Sequence, residues 1–130
     1  MNKQPTQIND IPAQQGSSDN FTGTTHIQSI SASEDGCTMV ARVTFDKDAR
    51  TFWHTHGGEQ VLYFLEGNGR VEIEGQGIID ANVGDIVRIP PKTRHWHGAH
   101  PTEEDNMTHL AIVNNGVTWL EPVPEEVYRA

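Results

Sequence analysis

Between Phe21 and Val113, polar and apolar residues alternate with period two in short stretches, and turn residues separate the stretches. Residues 38–45 alternate most clearly and place Ala41, Val43 and Phe45 on one face. Residues 46–49 read as a turn. A second strand is predicted over 51–56, Gly57 and Gly58 break it, and a third runs over 60–65. Gly67-Asn68-Gly69 reads as a hairpin turn, because both residue types tolerate positive φ. Residues 70–74 alternate with Val71 and Ile73 inward, and 75–77 turn the chain again. Residues 83–85 form another turn before a strand at 86–89, which Pro90 and Pro91 stop. Residues 95–99 are extended, and 107–113 form the last core strand. No helical periodicity interrupts this span.

Short strands at this spacing predict an all-β sandwich or barrel. The 130 residues suit one domain, placed at 21–130 with its core at 38–113. Residues 1–20 are polar and read as a flexible, loosely docked N-terminal arm. The tail at 119–130 carries Pro122 and Pro124. It is expected to close over the barrel with a short helical turn at 125–128.

Charge changes the picture by exclusion. A formal net charge of −9 argues against nucleic acid and anionic membrane as partners, since both reward a basic surface. No apolar run reaches the ~20 residues of a membrane span. Residues 1–20 lack the apolar stretch of a secretory signal, so a cytoplasmic location is expected. Cys37 is the sole cysteine, which excludes an intramolecular disulfide and suits a reducing compartment. It has no charged or His neighbour beside it and reads as a structural thiol.

The candidate chemistry lies in histidines. His54 and His56 are two apart on one predicted strand, so both side chains face the same way. His95 and His97 repeat the arrangement. Interior imidazoles at this density need a partner, because burying unpaired polar groups costs a few kcal/mol each. A divalent metal is such a partner, and imidazole suits several first-row ions. His97 and His109 are expected to face the same cavity, where an ordinary imidazole pKa of ~6.5 suits proton transfer. Trp53 and Trp96 alternate with the histidines and are expected to face outward, where they would line a subunit interface. His26 and His100 read as exposed or near strand ends.

These residues resemble the cupin superfamily. Its first motif is represented by His54-Thr55-His56, Gln60 and Gly67, its second by Gly84, Pro90 and His95. The resemblance covers roughly residues 38–113 and implies a cupin (jelly-roll, double-stranded β-helix) barrel. Four positions depart from the motifs. Asp48 stands where the first motif begins with Gly, Lys92 replaces the Gly of the second motif, and Ala99 its Asn. The usual Glu ligand is Gln60, with Glu59 next door as the alternative. Distance to Gly67 favours Gln60.

Segments 49–56, 95–99, 107–112 and the tail are similar to the small bacterial cupins with hydroxynitrile lyase activity. That resemblance implies one manganese or other divalent ion (Fe, Zn, Ni or Co) on His54, His56, Gln60 and His95, with His97 and His109 handling protons. It implies apolar pocket walls at Ala41 and Val43, with Leu62 and Val113 beside them. Family members can carry a polar amide where this chain has Val113. The expected function is a metal-dependent lyase acting on a small hydroxy or carbonyl compound, cleaving a cyanohydrin to aldehyde and cyanide. Alternatives are an iron-dependent dioxygenase, a sugar-acid isomerase or ring-opening enzyme, and a non-catalytic cupin that binds a small ligand. A homodimer or homotetramer is expected.

Overall fold

The computed structural model describes residues 5–30 and 38–130. Cys37 lies outside the described residues. A 3-10 turn, Ile8–Asp10, comes first. The strands follow as β1 (Gln14–Gln15), β2 (Phe21–Thr22), β3 (Thr25–Ser29), β4 (Met39–Phe45), β5 (Arg50–Thr51), β6 (His54–Thr55) and β7 (Gln60–Glu66). They continue as β8 (Gly69–Ile73), β9 (Gly77–Ala81), β10 (Ile86–Ile89), β11 (His95–Ala99), β12 (Met107–Val113) and β13 (Thr118–Trp119). Helix α1 (Glu125–Tyr128) closes the chain where a helical turn was expected.

All strand pairs are antiparallel and fall into two sheets, the all-β layered architecture that the alternation predicts. One sheet runs β1-β3-β4-β12-β7-β10. The other runs β13-β6-β11-β5-β2, with β8 also paired to β11 and β9 to β8. Alternation decides which side chains enter the space between them. β4 sends in Ala41, Val43 and Phe45, and β7 sends in Gln60, Leu62 and Phe64. β12 lies between these two strands, with His109 opposite Val43 on one side and Phe64 on the other. Phe45, Leu62, Phe64, Val71, Ile73 and Met107 make the apolar core. Burial of such side chains, ~1.5–3 kcal/mol each, drives the sheets together.

Four local expectations are corrected. The strand over 51–56 is two short pieces, β5 and β6, parted at Phe52 and Trp53. There the backbone leaves its ladder for other partners: Phe52 N–H donates to the Asn20 carbonyl, and Trp53 N–H to that of Glu121. The turn at 67–69 is no hairpin, because β7 and β8 belong to different sheets. Gly67 takes φ +68°, and a side chain on Gly69 would collide with the Phe64 ring, so the glycines form a tight corner between layers.

Trp96 does point away from the cavity, yet it is fully buried. Val123 and Tyr128 of the tail cover it, and its indole N–H donates to Glu72 at 3.0 Å. It therefore offers no surface to a subunit interface. Trp53 is half-buried, with the Arg94 guanidinium 4.8 Å above its ring. The tail is held by Arg50, which donates to the Val123 carbonyl at 2.8 Å, and by the Tyr128 hydroxyl, which donates to the Ala99 carbonyl.

The fourth correction concerns the segment read as an arm. Its described part, residues 5–20, contains β1, which pairs with β3. Among the described residues no helix is long and apolar enough to cross a membrane.

Candidate metal centre

Two facing sheets leave a cavity of about 350 Å³ between them. Its body is apolar, lined by Ile27, Met39, Ala41, Val43, Phe45 and Ala111. One end presents His54, His56, Gln60 and His97. Among the described residues that line it there is no Lys, Arg, Asp or Glu. Ala41 and Val43 line the cavity. Leu62 and Val113 do not: Leu62 is fully enclosed in the core and Val113 sits at the buried end of β12.

Strand register brings the imidazoles together. His95 on β11 is the direct partner of His54 on β6, and their ring centroids are 4.2 Å apart. The His56 ring lies 5.0 Å from that of His54 and 5.4 Å from that of His95. Gln60 Oε1 is 2.9 Å from His95 Nε2. One nitrogen from each of His54, His95 and His97 falls within 4.8 Å of the other two, so these three buried imidazoles also form a group able to hold a metal ion. Glu59 faces solvent and is tied to Arg88 at 2.7 and 3.2 Å.

Hydrogen bonds fix the tautomers of three rings. His54 Nδ1–H donates to the Phe52 carbonyl at 2.8 Å, His56 Nδ1–H to that of Gly116 at 2.8 Å, and His95 Nδ1–H to that of Thr93 at 2.9 Å. Because a carbonyl oxygen only accepts, each Nδ1 carries the proton and each neutral ring leaves Nε2 as a bare lone pair. Backbone carbonyls on the far nitrogen are the usual support of a metal-ligating histidine.

Burial keeps the rings neutral. Desolvation, with the neighbouring His95 and His56 adding to it, holds His54 well below the ordinary histidine value. Desolvation lowers His56 too, and pushes His95 down to about 4. His95 Nε2 and Gln60 Oε1 therefore face each other as two acceptors, and His56 Nε2 is buried without a hydrogen-bond partner among the described residues. A cation satisfies all three, so the donor set fits a divalent metal. Three neutral imidazoles and a neutral amide leave such an ion its full positive charge.

His97 differs from the other three. Its Nδ1 meets His109 Nε2 at 3.0 Å instead of a backbone carbonyl, and its Nε2 has no hydrogen-bond partner among the described residues. Both rings are buried, with Phe45 5.9 Å from His97 and 5.2 Å from His109, centroid to centroid. Desolvation, then the charge of its partner His109, holds His97 well below its ordinary value, and desolvation pushes His109 down to about 4. His26 pairs with Asp46 at 3.2 Å and His100 with Asp80 at 3.3 Å, both outside the cavity.

Several cavity residues carried no local signal in the sequence. Ser17, Asn20 and Phe21 line it from the N-terminal segment, and Trp119 from β13, its ring 4.7 Å from that of His54. Their roles come from pairings distant in sequence, such as Trp119 with His54.

Comparison with known proteins agrees with this architecture. Residues 41–113 match the cupin domain model. The chain is 41% identical over 119 residues to an (R)-mandelonitrile lyase of Granulicella tundricola, covering 88% of this chain and 89% of that one. It is 32% identical over 74 residues to an acireductone dioxygenase of Parasynechococcus marenigrum, covering 52% of this chain and 37% of that one. Among solved structures, a cupin-like protein from Thermotoga maritima superposes with a TM-score of 0.83 at 38% identity, covering 91% of this chain and 92% of that one.

Proposed function

Because the chain belongs to the cupin domain family, we propose that it is a metal-dependent lyase that cleaves a small neutral cyanohydrin to an aldehyde and hydrogen cyanide. One observation carries this reading: an apolar cavity, with no charged side chain among the described residues that line it, ends on His54 and His56, whose tautomers are set for a cation, with His95 set the same way against His54 and His97 held differently. Among the described lining residues no Lys or Arg stands ready to pair an anionic group away from the ion, which suits a substrate whose substituent is neutral. The likeness to the mandelonitrile lyase supports the same class.

His54, His56, Gln60 and His95 would hold the metal. When bound, the ion supplies Lewis-acid polarisation of a substrate oxygen, which makes a hydroxyl proton easier to remove. His97 is the base. With its Nδ1–H donated to His109 Nε2, its bare Nε2 accepts the hydroxyl proton of the cyanohydrin. The O–H electron pair becomes the carbonyl π bond. The carbon–carbon bond breaks, its electron pair leaves with cyanide, and His97 returns the proton to give hydrogen cyanide. His109 keeps the imidazolium oriented by accepting its Nδ1–H. The apolar wall of Ala41, Val43 and Ala111 holds the substituent and excludes water.

The test is release of benzaldehyde from mandelonitrile by protein of measured metal content, with and without a chelator. Turnover that follows metal content is expected. Metal-loaded protein that releases no aldehyde above the buffer rate overturns the reading. A second reading, an iron-dependent dioxygenase, draws on the acireductone dioxygenase likeness, although the chain spans only 37% of that relative. Activity retained under strict anaerobiosis decides for the lyase, since cyanohydrin cleavage consumes no oxygen.

A further inference from the structure

The two sheets are joined across the cavity by the N-terminal segment. β1 extends the edge of one sheet by pairing with β3, and β2 extends the edge of the other by pairing with β5. Residues 16–20 span the gap as a strap. Gly16 N–H donates to the Thr25 carbonyl at 3.1 Å, and Phe21 N–H to that of Ser17 at 3.0 Å. A side chain on Gly16 would collide with Thr25 Oγ1 and with the Phe21 ring, so the strap lies tightly against what it covers. At its end Phe21 enters the cavity lining. The Phe21 ring is 5.5 Å from Trp119 and 6.4 Å from Phe45, and Trp119 in turn is 4.7 Å from His54. An aromatic wall thus runs from the strap to the edge of the imidazole cluster, facing the small side chains of Ala41 and Ala111 in the same cavity.

We infer that this strap, through Phe21 against Trp119, selects aromatic over aliphatic ligands in the cavity. Tilted aromatic contacts add affinity for a ring beyond the apolar area buried, and an aliphatic ligand gains none of that increment. Phe21 stands one ring removed from His54, so it is a specificity residue and takes no part in proton transfer. The inference rests on the proposed reading only for the identity of the turned-over substrate; binding of neutral aldehydes is independent of it.

The experiment compares wild-type protein with Phe21→Ala and Phe21→Leu. Benzaldehyde and propanal are the binding probes, followed by ligand-observed NMR, and mandelonitrile is the substrate. Metal content and thermal midpoint are recorded for each protein. Phe21→Ala is expected to weaken benzaldehyde binding about fivefold to tenfold. Propanal binding should stay within about twofold and KM for mandelonitrile should rise while kcat holds. Phe21→Leu keeps the apolar bulk and separates loss of the ring from loss of packing should the alanine variant not fold; it should show the same selective loss for benzaldehyde. Equal weakening of both probes, unchanged benzaldehyde binding in a folded variant, or wild-type protein that binds neither probe overturns the inference. Mandelonitrile left intact while benzaldehyde binds selectively overturns only the lyase reading.

Discussion

His109 Nε2 lies 3.0 Å from His97 Nδ1, a hydrogen bond between two buried imidazoles on different sheets. One proton serves this contact, so the pair is stable only while at least one ring is neutral. Desolvation supplies that condition, with His109 pushed down to about 4. In the unfolded chain the same ring titrates near ~6.5. Between these values the unfolded state binds more protons, so the stabilisation is complete above pH ~6.5 and is lost as pH falls toward about 4. Metal-free protein should therefore lose on the order of 3 kcal/mol from this residue across that window. Urea titrations at pH 7 and 4 measure it. His109→Phe, packed between Phe45 and Phe64, should remove this residue's share of the loss and leave that of the other buried imidazoles; an equally steep loss in that variant would place the acid sensitivity in those rings alone.

His97→Ala should lower kcat by about 100-fold or more, the usual contribution of a general base, while leaving the metal bound. His109→Ala should cost less, about tenfold, because it orients the base without touching substrate. Steady-state kinetics beside elemental analysis separate the two. Loss of the ion in His97→Ala would instead count His97 among the ligands, a role open to it within the group it forms with His54 and His95.

Gln60→Glu should tighten the hold on the cation and slow turnover together. The added carboxylate neutralises part of the positive charge that the neutral donor set leaves on the ion. Retention after dialysis against chelator and kcat at saturating substrate are the readouts. Gln60→Ala should lose metal and activity in parallel.

Lys92 and Asp48 occupy two positions where the cupin motifs place glycine, and both adopt positive φ, 59° and 65°. Both positions hold a backbone conformation that glycine adopts without strain. A non-glycine residue in this region carries ~1–2 kcal/mol of strain. Lys92→Gly should stabilise the protein by about 1 kcal/mol, ~4 °C in thermal midpoint, because Lys92 is exposed and its N–H bond to the His56 carbonyl is kept. Asp48→Gly should gain less, since Asp48 also pairs with Arg129 at 2.9 Å. Differential scanning calorimetry on both variants checks the ordering.

Trp96→Ala should destabilise by about 3–5 kcal/mol, the cost of emptying a large core site. Denaturant unfolding measures this, and a loss below about 1 kcal/mol would show that the tail does not pack on the indole in solution.

Local alternation and spacing along the chain were enough to declare an all-β domain, to put Ala41, Val43 and Phe45 on one strand face, and to place His54 with His56 and His95 with His97 on common faces. Those are period-two relations, set by the pleat of a single strand. Tertiary structure alone decided the rest. It made 67–69 a corner between layers, covered Trp96 with the tail, joined His97 to His109, and brought Phe21 and Trp119 together in the cavity wall. Each of these depends on which strand lies beside or across from which. A period of two states that a side chain leaves one face of its strand, and only the packing of the sheets and their coverings states what that face meets.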